Sequence, residues 1–482
     1  MKSLFALACL FCLSTPLRAD EGHPNIVFIL VDDMGFGDPA CFNPESKVRT
    51  PHLDRLAADG MRFTDAHAPG PLCHQSRYGL MTGRYPFRID VNVWRTRPLI
   101  AEGEVTLPSL LRAAGYKTSM VGKWHLGFKE EAGYEKPLPG GPVDRGFDQF
   151  FGIRASTDIP PYFYIRNRQA VQPPTDQIEA SQSEGWSPIQ GAFWRAGGIA
   201  PDLALEDVLP TFTDEACSII HQHGDRSEPL FLYLALPAPH TPWLPSDRFR
   251  GSSDVGLYGD FVTMVDAMIG RVMDAIKESG MEDDTLVVFT SDNGPVWYEE
   301  DQLRFGHDSV GGLRGMKADA WEGGHRMPMI VRYPGRVAAG SVCETTVSFC
   351  DFIATLDEML GTQHLAESPN AAPDSFSFLA DLLGQSKTSP SRPNLVLKSG
   401  RGLMTIRKGP WKLIEGDGSG GFSDRGKKRS DPKNVRGQLY HLKNDPGEQV
   451  NLIEKHPEIV KSLRAELKEV TQATSSDQDQ SR

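Results

Sequence analysis

Three apolar, β-rich runs, each followed at once by polar residues, constrain this chain more than any other feature. They are Asn25-Ile-Val-Phe-Ile-Leu-Val31, Leu230-Phe-Leu-Tyr-Leu-Ala-Leu236 and Leu286-Val-Val-Phe-Thr290. None alternates apolar with polar residues, as a strand with one wet face would. Strands that are apolar on both faces need cover on both faces, which a mostly parallel sheet between helices provides. Lys117–Val121 and Met329–Tyr333 read as further strands. Helical patterns lie between them. Residues 51–59 have Thr50 as cap, Pro51 at the first position and Gly60 as stop, and residues 107–114 end at Gly115. Residues 257–279 space Phe261, Val265, Met268, Val272 and Ile276 along one helix face before Gly280. The alternation predicts an α/β fold.

Around residues 361–393 the composition turns to Pro, Ser, Ala and Asp, as in a linker. Short strand-like pieces follow at Leu395–Leu397, Met404–Ile406, Trp411–Ile414 and Gln438–Leu442, then a helix near 457–470. The expected organisation is a catalytic α/β domain over residues 20–365 and a small C-terminal α+β domain over 366–482. Gly, Ser and charge over 416–437 predict a mobile loop there.

The formal net charge of −12 argues against a nucleic-acid partner, which needs a basic face. It leaves room for an anionic small substrate, because a few local Lys and Arg can make a positive pocket in an acidic protein. Residues 1–19 read as a signal peptide: Lys2, then the apolar run Leu4–Leu13, then Pro16 and Leu17-Arg18-Ala19 as the cleavage edge. That run is short of the roughly 20 apolar residues of a spanning helix, so export without a membrane anchor is expected. Beyond this segment remain Cys41, Cys73, Cys217, Cys343 and Cys350, with no C-x-x-C spacing for zinc. Cys343 and Cys350 are near enough in sequence to pair. The chain contains no Asn-x-Ser/Thr sequon, which favours a bacterial exported protein, periplasmic or secreted.

The position of the polar residues carries the chemistry. Asp32 and Asp33 follow the first strand, Lys123 and His125 follow the strand begun at Lys117, His240 follows the run ending at Leu236, and Asp292 and Asn293 follow Thr290. Carboxyl ends of strands in an open α/β sheet form the ligand crevice, so four ends deliver polar groups to one rim. Asp32, Asp33, Asp292 and Asn293 offer oxygen only, which suits Ca²⁺ or Mg²⁺ and not zinc or copper. Cys73 stands between Pro69-Gly70-Pro71 and a helix-compatible stretch, at a place where backbone N–H groups favour an anion, with Arg77 one turn on.

Five segments together resemble the type I sulfatases of the alkaline-phosphatase-like superfamily. Cys73-His74-Gln75-Ser76-Arg77, with Met81-Thr82-Gly83 after it, resembles the family hallmark C-x-P-S-R, with Gln75 in place of proline. Gly115 to Gly127, which includes Gly122-Lys123-Trp124-His125-Leu126-Gly127, resembles the second hallmark. Asp32-Asp33-Met34-Gly35-Phe36-Gly37-Asp38 resembles the opening metal motif. Arg314-Gly315-Met316-Lys317 and Glu322-Gly323-Gly324 resemble the lysine segment, with His325 where a small or apolar residue is usual. Leu439-Tyr440-His441-Leu442 and Asn444-Asp445-Pro446-Gly447-Glu448 resemble the closing segment.

The resemblance implies an alkaline-phosphatase-like fold and a hydrolase of sulfate monoesters, aryl or carbohydrate. It implies that a formylglycine-generating or sulfatase-maturating enzyme oxidises Cys73 to formylglycine (3-oxoalanine). It assigns Asp32, Asp33, Asp292, Asn293 and residue 73 to a Ca²⁺ or Mg²⁺ ion, and Cys73, Arg77, Lys123, His125, His240 and Lys317 to the catalytic pocket. Lys123, Ser156, His240 and Lys317 are implied to contact the substrate, a sulfated small molecule or glycan. Two other functions fit the same residues: a phosphodiester or phosphonate hydrolase of the superfamily, and a non-catalytic binder of sulfated glycans with an unoxidised Cys73. Trp94, Arg95 and Arg97 are expected at the pocket rim, and Tyr162 and Tyr164 offer either a sugar-stacking face or ordinary packing.

Overall fold

The computed structural model describes residues 23–224, 226–368, 370–385, 392–426 and 436–472. The expected signal peptide and residues 427–435 of the expected mobile loop lie outside them.

Seven strands make the body of one large sheet: β1 Asn25–Asp32, β2 Met61–His67, β3 Lys117–Lys123, β4 Gln149–Ile153, β5 Leu230–Pro239, β6 Thr285–Ser291 and β7 Arg326–Arg332. Their order across the sheet is β2-β7-β6-β1-β5-β3-β4, with shorter pieces extending both edges. Strands β4, β3, β5, β1 and β6 run parallel. Strand β7 is antiparallel to β6, and β2 is antiparallel to β7. The central strand β1 is apolar on both faces because both are covered: Ile26 to Val31 are all 0–1% exposed. Phe28, for instance, meets Phe352 edge-on at 4.9 Å. The helices Val208–His223 and Gly256–Glu278 pack on each other and against β5. The expected α/β class and the mostly parallel sheet are what the chain adopts.

A second, four-stranded antiparallel sheet follows: β8 Leu395–Lys398, β9 Met404–Lys408, β10 Trp411–Ile414 and β11 Gln438–His441. The helix Pro457–Gln472 packs on it through Val460, Leu463 and Leu467.

Some local expectations change. Strand β7 begins at Arg326, ahead of Pro328, where its register against β2 breaks between Met327 and Met329. Proline lacks the ladder N–H, so a strand crosses it only with such an irregularity. Thr50 does not cap its helix through its side chain. Residues 416–424, expected to be loose, are tied down: Ser419 accepts from the Ala320 amide at 2.7 Å, and the Ser423 hydroxyl donates to Asp319 at 2.5 Å. The described cysteines, Cys343 and Cys350 included, are unbridged thiols.

Candidate active site

The parallel strands deliver their carboxyl ends to one edge, and the polar residues that follow them meet there. Strand β1 ends in Asp32 and Asp33, β3 in Lys123 and then His125, and β6 in Ser291 before Asp292 and Asn293. Ser156 lies three residues past β4, and His240 directly past β5. Opposite β1, the register of β5 jumps, with Leu30 facing Ala235 but Asp32 facing Pro239. Such a bulge re-aims side chains at a strand end, here Asp32 and His240. Strand β7 runs the other way, so the segment before it, which carries Lys317, returns to the same edge.

Cys73 is the first residue of the Cys73–Thr82 helix and is 4% exposed. Its Sγ lies 3.3 Å from Asp32 Oδ1, 4.0 Å from Asp33 Oδ1 and 3.4 Å from Lys317 Nζ. The first backbone bond of this helix runs from the Ser76 amide to Leu72. The amide of Gln75 therefore has no helical partner, so a proline at this position would lose no helical hydrogen bond.

One cation stands against each carboxylate. Lys123 Nζ bonds Asp32, Lys317 Nζ lies 2.6 Å from Asp33 Oδ1, and Arg77 Nη2 lies 2.8 Å from Asp292 Oδ2. Arg77 also donates to the carbonyl of Lys123 at 2.8 Å, so it braces Asp292 against β3. Burial opposes ionisation of Asp32, yet the charges of Lys123, His240, Arg77 and Lys317 hold its carboxyl well below the usual range. Burial and the charge of Asp32 push Asp292 up to about 6. Burial, with Asp292 and Asp32, raises the Cys73 thiol well above its ordinary value. His125 is held well below by burial and by Lys123, so its ring is neutral. Its Nδ1 is buried with no hydrogen-bond partner among the described residues, as is Ser156 Oγ. His240 Nε2 faces Asp33 Oδ2 at 3.6 Å.

The donor set fits a divalent cation. Ligand atoms of Asp32, Asp33, Cys73 and His240 lie within 4.8 Å of one another. Asp292 Oδ1 accepts from the Asp33 amide at 3.3 Å, and Asn293 Nδ2 donates to Asp33 Oδ1 at 2.7 Å. That leaves Asn293 Oδ1 buried without a partner, a carbonyl oxygen suited to a cation. Buried, oxygen-dominated donors match the hard-cation class. Glycine is required beside them: a Cβ on Gly294 would lie 1.9 Å from the carbonyl of Gly323. Asp33, His125 and Ala318 all have φ between 60° and 71°, backbone that non-glycine residues rarely adopt. Such strain gathers at functional sites, where the surroundings hold it in place.

A second group with metal-ligand geometry, His67, Glu322 and His325, lies between the two sheets. Its charges are already matched within the protein. Lys412 Nζ lies 2.9 Å from both Glu322 and Glu448, and Arg407 holds Asp65 at 2.7 Å. His67 links Asp65 at 2.9 Å to His325 at 3.0 Å. His325 thus belongs to an ionic network that joins the C-terminal sheet to the large one.

Tyr162 and Tyr164 present no stacking face. Both are buried, with the Tyr162 hydroxyl on the Arg195 carbonyl and the Tyr164 ring stacked on Phe151 at 5.4 Å. Trp94 is at the site, its ring edge-on to His125 at 4.3 Å, whereas Arg95 and Arg97 are exposed. Sequence reading missed His74, held down to about 3 by burial and by the charges of Lys123, Lys317 and Arg95. It also missed Asp158, whose Oδ1 lies 3.9 Å from His240 Nδ1. His74 could have been flagged as a polar residue adjoining Cys73, whereas no local pattern distinguishes Asp158.

Residues 24–362 match the model of the Sulfatase family. The chain is 34% identical to an N-acetylgalactosamine-6-O-sulfatase of Bacteroides thetaiotaomicron, over 96% of this chain and 97% of that protein. It is 33% identical to human arylsulfatase A, over 96% of this chain and 89% of that protein. A solved Bacteroides thetaiotaomicron structure, from work on the metabolism of multiple glycosaminoglycans, superposes with a TM-score of 0.81 at 34% identity. That match covers 93% of this chain and 99% of the other. A phosphonate monoester hydrolase of Agrobacterium radiobacter shares the fold at a TM-score of 0.56 and 20% identity. By the family match, the full-length relatives and the superposition, the chain belongs to the sulfatase family.

Proposed function

We propose that this sulfatase hydrolyses the sulfate monoester of a sulfated carbohydrate outside the cytoplasm, with residue 73 oxidised to formylglycine. The observation that carries the reading is the packing of Asp32, Asp33 and Lys317 around Cys73 Sγ within 4.0 Å. A thiol raised by burial and by two carboxylates is a poor nucleophile, since the thiolate is the reactive form. An aldehyde at this position avoids that penalty. The maturating enzyme supplies the oxidant that removes sulfur and leaves the aldehyde. The signal-like residues 1–19 support export, and among the described residues no helix is long and apolar enough to cross a membrane.

Asp32, Asp33, Asp292, Asn293 and residue 73 would hold the cation, Ca²⁺ or Mg²⁺, which supplies positive charge for the sulfate oxygens. Each carboxylate already has its own cation, so the loaded pocket is positive and suits an anionic ester. Lys123 and Lys317 bind the sulfate and stabilise its charge as the ester bond breaks. Water adds to the aldehyde to give two hydroxyls on one carbon. Asp292 takes the proton of the hydroxyl that attacks sulfur, while His240 protonates the leaving alcohol oxygen. Neutral His125, with Nδ1 free, then takes the proton of the second hydroxyl. The carbon–oxygen bond to sulfate breaks and the aldehyde returns. A serine could be sulfated but has no second hydroxyl with which to expel the sulfate.

Because the relatives include proteins named for N-acetylgalactosamine 6-sulfate, that sugar is the first substrate to test. Protein made with a maturating enzyme should carry an aldehyde at residue 73 by peptide mass, and should lose turnover when Ca²⁺ and Mg²⁺ are chelated. Given a sulfate ester, a phosphate monoester and a phosphodiester of one phenol, it should prefer the singly charged sulfate; a phosphate monoester carries nearly two charges at neutral pH. Active protein with only a thiol at residue 73, or a preference for the phosphodiester, overturns the reading.

A further inference from the structure

Beside the sulfate pocket lies a group of residues that the hydrolysis does not use. His74 follows Cys73 directly, and its ring lies 5.6 Å from that of His125 and 6.3 Å from that of Trp94. Its Nε2 is buried and has no hydrogen-bond partner among the described residues. A buried ring nitrogen without a partner is costly unless something that binds there supplies one. Trp94 packs edge-on to His125 at 4.3 Å, and the Arg95 guanidinium lies over the Trp94 ring at 5.1 Å.

The neighbouring arginine shows what is unusual about Arg95. Arg154 also approaches Trp94, at 5.9 Å, but its charge is matched by a two-pronged contact with Glu130, 3.0 Å at each bond. Arg95 is exposed and makes no ion pair with any described carboxylate, in a chain of net charge −12. Stacking on Trp94 limits the freedom of its planar fork, so less freedom remains to be lost when it grips a carboxylate or sulfate.

We propose that His74, Trp94 and Arg95 form a recognition site for a second anionic group of the substrate, a carboxylate or a second sulfate lying beside the scissile one. The inference rests on the sulfatase reading and narrows it: the preferred substrate is a polyanionic glycan fragment and not a singly sulfated sugar. Arg95 binds the second anion through its fork, buried Trp94 holds Arg95 in place, and His74 Nε2 pairs with a polar substituent between the two charges. The site sets specificity and takes no part in the bond changes.

The test uses matured protein and three substrates: a 6-sulfated N-acetylgalactosamine monosaccharide, the same sugar linked to a uronate, and the same sugar with a second sulfate. The readout is the ratio of kcat/KM on each doubly charged substrate to that on the monosaccharide. Wild type should give a ratio of at least about tenfold for one of the two, the size of a single charge-assisted contact. Whichever substrate shows it identifies the second anion as carboxylate or sulfate. Arg95→Ala should bring that ratio near one, Arg95→Lys should keep part of it, and added salt should lower it in wild type and Arg95→Lys but not in Arg95→Ala. His74→Ala should lower it and His74→Gln restore part. A merely structural role for Arg95 would lower all three activities together and leave the ratio unchanged, which overturns the proposal. So does a wild-type ratio near one for both substrates, with the sulfatase reading intact. No turnover on any of the three, with residue 73 oxidised and an activated aryl sulfate still cleaved, overturns this proposal and leaves the sulfatase reading standing; failure on the aryl sulfate as well overturns the sulfatase reading itself.

Discussion

Lys412 offers the sharpest test of how the two sheets are joined. It is 1% exposed and lies 2.9 Å from both Glu322 and Glu448, which are themselves fully buried. Changing Lys412 to Met keeps the packing volume but leaves two carboxylates facing each other without their shared cation. Removing one partner of a buried ion pair costs about 3–5 kcal/mol. The lower end applies here, because Glu322 keeps Arg326 at 3.6 Å and Arg407 at 3.8 Å, and Glu448 can take up a proton. Unfolding entropy is about 2 cal/mol/K per residue, so for a chain of this size melting as one unit, ~3 kcal/mol lowers Tm by ~3 °C. If the C-terminal sheet melted alone, its smaller entropy would turn the same loss into a shift of more than about 10 °C in a separate early transition. Differential scanning calorimetry of wild type and Lys412→Met distinguishes these outcomes, and a single transition lowered by ~3 °C is expected. An unchanged Tm refutes the reasoning, since it means that desolvation of Lys412 cancels its attraction to both carboxylates. The double variant Lys412→Met with Glu448→Gln should recover part of the loss.

Glu448 also predicts a pH effect. Burial pushes its carboxyl up to about 7, Lys412 pulling it back and Glu322 reinforcing the rise. The folded state therefore binds this proton more tightly than the unfolded chain, whose Glu titrates near about 4.3. The stabilisation is complete below that value and is lost as pH rises through about 7. The Tm of wild type should fall relative to that of Glu448→Gln between pH 5 and 8, and a constant difference refutes this. Cys73→Ser, incubated with substrate, should gain one SO₃ on residue 73 and then stop; sustained turnover near the wild-type rate contradicts the need for a second hydroxyl. His240→Ala should lose about 10²–10⁴ in kcat/KM on a sugar sulfate and much less on an activated aryl sulfate, whose leaving group needs little protonation. Equal losses on both remove His240 as the proton donor.

How far the sequence could be read depended on distance along the chain. Strands β1, β5 and β6 were legible because each is a local apolar run, whereas β2, interrupted by Arg62, Thr64 and Asp65, and the short β4 were not read; the rim followed because parallel strands must bring their carboxyl ends together. Asp32, Lys123, His240 and Asp292 come from four such ends, and no contact between them had to be guessed. Strand order was not legible, since nothing in Asn25–Asp32 states that β5 and β6 flank it. The ionic network was invisible for the same reason: His67 and His325 are 258 residues apart. Tyr162 and Tyr164, after two prolines, left a stacking face and ordinary packing equally open, and the structure takes the second: Tyr164 packs on Phe151 and Phe212, and the Tyr162 hydroxyl is held by the Arg195 carbonyl.

The segment 416–424 shows a subtler failure. Glycine and serine normally signal freedom, and that reading predicted a mobile loop. Here the glycines answer to lack of space. A Cβ on Gly421 would lie 2.3 Å from the backbone carbon of Ala318, the residue after Lys317. Ala318 has φ of 71°, a costly conformation for alanine, and is gripped from several sides. Its amide donates to Pro71 at 2.8 Å, its carbonyl accepts from Gly400 at 2.8 Å, and Asp319 beside it accepts from Ser423. Pro71 leads into Cys73, while Gly400 and Ser423 belong to the C-terminal part of the chain. The distance of 3.4 Å between Lys317 Nζ and Cys73 Sγ is therefore set from both sides, by the loop that carries the cysteine and by the small sheet's own loops. Small residues at 418–421 are what let those loops come close enough. Their composition reads as slack only when the backbone they pack against, a hundred residues earlier, is out of view.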